Sequence, residues 1–131
     1  MPIVGHGIDL VEIARIKKMI DSHGQHFLDR CFTPAEQDYS HKQPKRTIEH
    51  LAGRFAAKEA VLKVLGTGWS QGIAWTDVEV VNEVDGKPTV RLAGKCAAVA
   101  QSVGIEVWHV SITHTETHAM ASAIGETSQA S

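Results

Sequence analysis

The sequence predicts an α+β fold built as a single domain of 131 residues. Helical patterns dominate the first half of the chain and paired strand patterns the second half, an arrangement typical of α+β proteins. Hydrophobic residues make up 43% of the chain and charged residues 21%, which are ordinary values for a folded domain. Because no repeat or low-complexity linker divides the sequence, we expect one domain over 1–131, with 126–131 as a loose polar tail.

Two helix starts precede the middle of the chain. A short strand over 3–8 leads to Asp9, which forms a capping-box pattern with Glu12 and is expected to open the first helix. A second capping-box pattern lies in 33–36, where proline occupies the first helical position and a short helix is expected. The segment 41–46 is predicted to be a basic loop.

The best-defined helix is predicted over 47–65, with Gly66 at its C-terminal cap. Its apolar residues form one stripe, which consists of Ile48, Leu51, Ala52, Phe55, Leu62 and Leu65. Glu59 falls within about 60° of this stripe when each residue advances by roughly 100°. A bare charge on an apolar face is costly, so this carboxylate must be neutralised, paired or bound to a metal. Lys63, one turn later, is the simplest structural partner.

The second half of the chain has the period of strands. Asp85-Gly86 is a hairpin signal between two apolar runs, and an alanine-rich segment follows them. The predicted elements are strands over 78–84, 89–92, 105–113 and 119–124 and a helix over 94–103. The strand over 105–113 is mostly apolar on both faces, so it needs cover on each side.

Composition excludes several classes of function. The 13 basic and 15 acidic residues give a net charge of −2, whereas domains that bind nucleic acid through bulk charge are strongly basic. Cys31 and Cys96 are too few for a disulfide framework and are expected to be small apolar fillers in a reducing compartment. The N-terminus lacks a signal-peptide pattern, and no apolar run approaches the roughly 18 residues of a spanning helix. We therefore expect a cytoplasmic protein without nucleic-acid or membrane partners.

Acids and cations supply the candidate functional groups. Asp9 follows a strand in which Gly5 and Gly7 allow a ligand close to the backbone, although helix capping is the simpler explanation. A solvated face is the default interpretation of the basic residues, which are Lys45, Arg46, Arg54, Lys58 and Lys63. Two acids among several cations are also what a magnesium–polyphosphate site requires.

Histidines are the other candidate ligands. His114 and His118 are four residues apart, a spacing that binds zinc on a helix. The flanking residues predict strands, and the glutamate is displaced from its place in a zinc-protease motif, so a zinc site is disfavoured. A histidine among the hydroxyls of Ser111, Thr113 and Thr115 is better suited to holding a phosphate or a ligand the size of a thioester.

Three blocks of the sequence, in the right order, resemble the 4′-phosphopantetheinyl transferases. The central block of that family is an aromatic residue, two spacers, Lys-Glu, three spacers and Lys. The matching residues here are Gly7-Ile-Asp9 in the first block, Phe55, Lys58, Glu59 and Lys63 in the central block, and Val110-Ser-Ile-Thr-His114-Thr in the last. The blocks span nearly the whole chain, and its length is that of the short, single-domain type, the holo-[acyl-carrier-protein] synthases.

The resemblance implies a reaction and roles for named residues. The serine hydroxyl of an apo acyl carrier protein attacks the β-phosphate of coenzyme A, phosphopantetheine moves to the serine, and adenosine 3′,5′-bisphosphate leaves, in the service of fatty acid biosynthesis. Asp9 and Glu59 are implied to hold Mg²⁺ against the pyrophosphate, and Lys63 to assist the leaving group as a cation. The residues expected to bind coenzyme A are Lys45, Arg46, Arg54, Gly66, Gly68 and His114.

The resemblance also implies partners. Arg15, together with Lys18, is expected to dock the acidic carrier protein through the first helix. The short type is a homotrimer whose sites combine residues from two chains. Joined to the apolar strand pattern, this places the strands over 105–113 and 119–124 near a threefold axis.

Other interpretations stay open at this stage. The general base is unassigned between Glu36, Asp38 and a metal-bound water. The same acids and cations would also serve a magnesium-dependent nucleotide pyrophosphohydrolase. A non-catalytic, His-rich metal-binding trimer would leave Glu59 paired with Lys63, and metal preference separates these cases, because histidines favour Zn²⁺ or Ni²⁺ and carboxylates Mg²⁺ or Mn²⁺.

Overall fold

A computed structural model describes residues 2–128 and defines ten helices and strands there, besides two short 3₁₀ turns at Pro44–Arg46 and Trp75–Asp77. In chain order they are β1 Ile3–Glu12, α1 Ile13–His23, α2 Gln25–Cys31, α3 Pro34–Ser40, α4 Thr47–Leu65, β2 Val78–Asn82, β3 Pro88–Leu92, α5 Gly94–Ser102, β4 Val107–His114 and β5 His118–Glu126. The predicted α+β class is confirmed. Of the tail expected to be loose, Glu126 belongs to β5, and residues 129–131 lie outside the described part.

The centre of the fold is α4, which packs across one face of an antiparallel sheet with the strand order β1-β5-β4. The residues of β5 that face α4 are small and buried, namely Ala119, Ala121, Ala123 and Gly125. Gly7 lets β1 lie so close to α4 that a β-carbon there would overlap the carbonyl oxygen of Ala60. The space that Gly7 leaves beside the backbone is thus filled by α4 and not by a ligand, and this close approach sets the position of the end of β1 against α4.

The helix α4 covers the predicted range, but the predicted single apolar stripe is too narrow. Residues 51–58 are all buried, as are Ala60, Val61 and Leu62. The sheet covers one side of the helix, while α1, α3 and β2 cover the others. Arg54 and Lys58, for which a solvated face was the default interpretation, are therefore internal.

Asp9 lies in a strand and does not open a helix. β1 continues to Glu12, and α1 begins at Ile13. The backbone of Asp9 is paired with Ala121 of β5, and Glu12 occupies the N-cap position without a side-chain cap hydrogen bond. The capping-box prediction is wrong here because pairing with a strand more than 100 residues away extends β1 past the local helix signal.

Other local predictions are confirmed. The Thr33 hydroxyl accepts a hydrogen bond from the Glu36 backbone, and the Glu36 carboxylate accepts one from the Thr33 backbone, which completes the capping box of α3. Gly66 closes α4 in the left-handed conformation, with φ 74°. The sequence analysis missed α2, because its 7 residues make only two turns and show no clear period.

The prediction that β4 is apolar on both faces is wrong. Trp108, Val110 and Ile112 pack against the core, while the residues of β4 on the opposite face are Val107, His109, Ser111 and Thr113. The apolar part of that opposite face lies mainly on β1, where Ile8 is 51% and Leu10 is 62% exposed. We call the surface formed by Ile8, Leu10, Met120 and Ile124 the open sheet face.

The structure also describes the apolar character of the helices and the state of the two cysteines. In residues 2–128, no helix combines the length and the apolar character that crossing a bilayer requires. Cys31 and Cys96 are free and buried, as expected for small apolar fillers. Burial raises the pKa of the Cys96 thiol to about 11 and also raises the pKa of Cys31, so neither thiol is activated.

Candidate active site

An acid and a base meet where β1 crosses the C-terminal end of α4. Lys63 Nζ lies 3.2 Å from Asp9 Oδ1 and donates a hydrogen bond to the backbone oxygen of Ile8 at 2.8 Å. The Asp9 side chain is only 18% exposed, whereas that of Lys63 is 53% exposed. The close approach at Gly7 makes this contact possible, because it brings β1 against the turn of α4 that carries Lys63. Lys63 thus holds a half-buried carboxylate and keeps part of its ammonium open to a ligand.

Glu59 lies one turn before Lys63 on the same helix. Its carboxylate accepts a hydrogen bond from Trp69 Nε1 at 3.2 Å, so the expected simple pairing of Glu59 with Lys63 is replaced by two separate partners. An opening of about 410 Å³ is lined by Glu59, Leu62, Lys63, Gly66 and Gly68. Gly66 and Gly68 carry no side chain and have positive φ, so the backbone on that rim is open to a ligand. We call Asp9, Glu59 and Lys63 the carboxylate site.

A second opening, of about 510 Å³, lies at the N-terminal end of α4. It is lined by Lys45, Arg46, Glu49, His114, Thr115 and Glu116, and we call it the basic opening. His114 Nδ1 lies 3.6 Å from Glu49 Oε2, so an imidazolium here would have a counter-charge. The structure therefore brings together three residues predicted to bind coenzyme A. Lys45 and Arg46 belong to a 3₁₀ turn, and His114 lies at the end of β4.

One chain keeps these two sites apart. Arg46 precedes α4 and Glu59 lies near its other end, which is a separation of about 20 Å at 1.5 Å per residue. Both sets of predicted ligand residues exist, but in a single chain they line different openings.

Arg54 departs from the expected role in coenzyme A binding. Its guanidinium lies inside the fold, 4.1 Å from the centre of the Tyr39 ring, and donates to Asn82 Oδ1 at 2.8 Å. Neither the basic opening nor the opening at Glu59 is lined by Arg54. The geometry therefore supports a structural role, since α4 packs this residue against α3 and β2.

Lys58 and Glu36 form a buried ion pair. Lys58 Nζ lies 2.8 Å from Glu36 Oε1 and also donates to the backbone oxygens of Trp75 and Val78. Burial lowers the pKa of Lys58, and the neighbouring Glu36 carboxylate acts in the opposite direction. Because the Glu36 side chain has no exposed surface, it cannot reach a substrate hydroxyl, and it is removed from the candidates for general base.

A groove beside α1 was only partly anticipated from the sequence. It has a volume of about 330 Å³ and is lined by Arg15, Met19, His23, His26, Phe27, Arg30, Cys31, Phe55 and Trp75. The Arg15 guanidinium lies 5.8 Å from the centre of the Phe55 ring. Lys18 is exposed on the same helix but does not line the groove. Arg30 and Phe27 belong to α2, the helix that the sequence analysis missed, so the spacing of α1 alone could not reveal them.

The carboxylate site has a donor set suited to Mg²⁺. This ion binds through one or two carboxylates and substrate phosphates and keeps several waters, so Asp9 and Glu59 are sufficient protein ligands. Within residues 2–128, no three His, Cys, Asp or Glu side chains gather in a way that could hold a metal by themselves.

Comparison with known proteins decides between the remaining interpretations. The family model of the 4′-phosphopantetheinyl transferase superfamily matches residues 5–122. The chain belongs to this superfamily. It is 47% identical to the holo-[acyl-carrier-protein] synthase of Koribacter versatilis over 124 residues, which cover 95% of this chain and 98% of the relative.

Solved structures agree with this assignment. The holo-[acyl-carrier-protein] synthase of Neisseria meningitidis superposes with a TM-score of 0.85 at 29% identity, over 95% of this chain and 99% of the other. A holo-(acyl-carrier-protein) synthase from Bacillus anthracis, solved in complex with coenzyme A, superposes with a TM-score of 0.78 at 36% identity, over 96% and 98% of the chains. The predicted family, fold and class of enzyme are confirmed, and the chain is a transferase of the short, single-domain type.

Proposed function

We propose that this enzyme transfers the 4′-phosphopantetheine group of coenzyme A to a serine of an apo acyl carrier protein, releasing adenosine 3′,5′-bisphosphate. The observation that carries the proposal is the contact of Asp9 with Lys63, one turn after Glu59 on α4, in a chain whose relatives are holo-[acyl-carrier-protein] synthases. We propose further that residues 1–131 act as one domain, in the cytoplasm, in the service of fatty acid biosynthesis.

Asp9 and Glu59 are the residues that would hold Mg²⁺ in this enzyme. The ion would neutralise negative charge on the pyrophosphate of coenzyme A while its phosphorus–oxygen bond breaks. Lys63 prepares the site by holding the half-buried Asp9 side chain in place through its 3.2 Å contact. The exposed part of the Lys63 ammonium is the cation available to the leaving phosphate.

We propose that Lys45 and Arg46 bind the 3′-phosphate of coenzyme A and that His114 lines the nucleotide site beside them. Two cations and a histidine around one opening provide several charged or neutral N–H donors for phosphate oxygens. Glu49 Oε2 lies 3.6 Å from His114 Nδ1 and so can fix the direction of the imidazole ring in this opening.

The groove lined by Arg15, Phe27 and Arg30 is proposed as the docking surface for the carrier protein, with Lys18 adding to the charge of the same side of α1. Apolar and aromatic side chains form its floor, and arginines lie at its edge, which suits an acidic amphipathic helix. The groove and the opening at Glu59 are linked by α4, since Phe55 lines the first and Glu59 the second.

A homotrimer is the assembly that we propose. The separation of the basic opening from the carboxylate site in one chain supports a site shared between two chains, because coenzyme A must reach both. The open sheet face supplies the apolar surface for association, since Ile8 and Leu10 are more than half exposed. The expected centre of assembly, the strands over 105–113 and 119–124, thus moves from β4 and β5 to β1 and β5.

The direct test is mass spectrometry of apo acyl carrier protein after incubation with coenzyme A, Mg²⁺ and this enzyme. The expected result is a mass increase of one phosphopantetheine group, together with an equal amount of adenosine 3′,5′-bisphosphate. Release of the bisphosphate with no change in the carrier protein would instead indicate a pyrophosphohydrolase. Replacing the acceptor serine of the carrier with alanine is the matched control and should abolish the mass increase.

A further inference from the structure

Trp69 makes the hydrogen bond that orients Glu59. Its indole Nε1 donates to Glu59 Oε1 at 3.2 Å, and within residues 2–128 this is the hydrogen bond that the carboxylate forms. Lys63, the cation one turn away on α4, is held instead by Asp9 and the backbone of Ile8. The orientation of Glu59 therefore depends on a residue from the loop that follows α4.

The indole itself is held by an aromatic stack. The ring centres of Trp69 and Trp75 are 3.8 Å apart at 27°, and those of Trp75 and Phe55 are 4.6 Å apart at 24°. Phe55 lies one turn before Glu59 on α4, so the stack fixes the loop against the helix that carries the carboxylate. Stacked aromatic rings have few alternative positions, which gives the Nε1–H group a defined direction.

An indole is suited to orient a metal ligand without competing for the metal. It has one N–H donor and no acceptor, and it carries no charge. Donation to Oε1 leaves Oε2 free. An ammonium partner would neutralise the charge of the carboxylate, whereas the uncharged indole does not. Hydrogen bonds of this kind from neighbouring groups typically change metal affinity by about 10- to 100-fold.

We propose that Trp69 is a positioning residue, which holds the Glu59 carboxylate in the orientation that binds the metal. This inference rests on the proposed function, in which Glu59 is a ligand of Mg²⁺. It adds a role for the loop between α4 and β2 that none of the predicted site residues carries. Trp75 and Phe55 contribute by holding the indole in place.

The test measures metal binding without turnover. Mn²⁺ binding to the whole enzyme with coenzyme A, in the absence of carrier protein, is followed by electron paramagnetic resonance of the free ion. Trp69→Phe keeps a stacking ring and removes the N–H donor, so the dissociation constant for Mn²⁺ should rise by about 10-fold. Trp108→Phe, which changes a tryptophan outside the stack, should bind Mn²⁺ as the unchanged enzyme does.

A second measurement covers the case in which Trp69→Phe fails to fold, as checked by circular dichroism. In the Trp108→Phe variant, the remaining tryptophan emission comes from the stacked pair of Trp69 and Trp75. Addition of Mg²⁺ to the complex with coenzyme A should shift this emission, because a cation bound at Glu59 changes the electric field at the indole that donates to Oε1. The shift should be absent when Glu59→Gln is added to that variant.

Different results would contradict the metal-binding role of Glu59 and the positioning role of Trp69. If Glu59→Gln binds Mn²⁺ as tightly as the unchanged enzyme, the metal-binding role of Glu59 in the proposed function is wrong. If Glu59→Gln loses Mn²⁺ but folded Trp69→Phe binds it with unchanged affinity, the positioning role of Trp69 is wrong and the proposed function stands. An emission spectrum that Mg²⁺ leaves unchanged in the Trp108→Phe variant also contradicts the positioning role.

Discussion

Lys58 Nζ lies 2.8 Å from Glu36 Oε1, and neither side chain exposes any surface. The pair joins α4 to α3, and each partner also bonds the backbone around β2: Lys58 donates to the carbonyl of Val78, and Glu36 accepts from the N–H of Val80. Lys58, the motif lysine directly before Glu59, therefore has a structural role, which is to hold α4 against α3 and β2. It sets the rotation of α4 about its axis, and the residue that follows Lys58 is Glu59, the proposed metal ligand.

Breaking this pair should destabilise the enzyme strongly. Lys58→Met leaves the Glu36 carboxylate buried without its cation, which typically costs about 3–5 kcal/mol in the free energy of unfolding. Urea denaturation measures the change. The double variant Lys58→Met with Glu36→Gln should recover part of the loss, because no charge then stays buried. Lys17→Met, at an exposed ion pair with Asp21, is the control and should change stability little. If Lys58→Met lowers the free energy of unfolding no more than the control does, the structural role of the Lys58–Glu36 pair is wrong.

Asp9 and Glu59 should be needed for activity and dispensable for folding. Asp9→Asn and Glu59→Gln keep the shape of each side chain and remove its charge, so transfer activity at saturating Mg²⁺ should fall at least about 100-fold. Thermal melting should stay near that of the unchanged enzyme, since neither side chain belongs to the buried core. Near-full activity of Glu59→Gln would remove it from the proposed metal site.

Recognition of the carrier protein should depend on charge at the groove beside α1. Arg15→Glu should raise the apparent KM for the carrier protein far more than the KM for coenzyme A, because it reverses a charge at the groove alone. Added salt should weaken carrier binding in the unchanged enzyme, since exposed charges are screened over about 8 Å at physiological ionic strength. Lys17→Glu, on the same helix but outside the groove, is the matched control. If Arg15→Glu raised the KM values for both substrates equally, the proposed role of Arg15 in docking the carrier protein would be wrong.

Two substitutions to aspartate should separate assembly from folding. Leu10 is 62% exposed on the open sheet face, whereas Ile112 packs into the core against Gly53 of α4. Leu10→Asp should dissociate the trimer into folded monomers, and Ile112→Asp should unfold the chain. Sedimentation velocity and circular dichroism together distinguish the outcomes. A fully active monomer of the unchanged enzyme would end the trimer proposal.

A shared site can be tested by mixing chains. A Glu59→Ala chain is combined with a chain in which Lys45 and Arg46 are both changed to alanine, after partial unfolding and refolding of the mixture. If the carboxylate site of one chain works with the basic opening of another, the mixture should recover part of the activity that each variant lacks. Absence of any recovery, with mixed trimers present by native mass spectrometry, would argue for sites within single chains.

His50 should make the fold sensitive to acid. Burial lowers the pKa of its ring, and the nearby positive charge of Arg54 lowers it further. The unfolded chain, with an ordinary histidine pKa near 6.5, therefore binds a proton that the folded chain resists, so stability falls as the pH drops below that value. The difference in unfolding free energy between His50→Gln and the unchanged enzyme should shift in favour of the variant between about pH 7 and pH 5. The exposed His41→Gln is the control, and parallel curves for His50→Gln and the unchanged enzyme would contradict the prediction.

Local signals in the sequence were enough to determine several elements and the family. The capping box at Thr33, the glycine cap at Gly66 and the long helix between them are set by interactions within a few residues, so their pattern is visible in the chain. The central block that carries Glu59 and Lys63 is likewise contained in one helix. The carboxylate among apolar neighbours could be recognised as unusual before any fold was known.

Tertiary structure decided which groups those residues meet. Asp9 belongs to a strand and contacts Lys63 because β5 pairs with β1 and Gly7 admits α4, and both partners are distant in sequence. Three further features likewise depend on packing between separate elements. They are the burial of Lys58, the hydrogen bond from Trp69 to Glu59 and the exposed apolar residues of β1. A sequence pattern records the period of one element, whereas burial and ion pairing depend on what covers that element, and only the assembled fold supplies the cover.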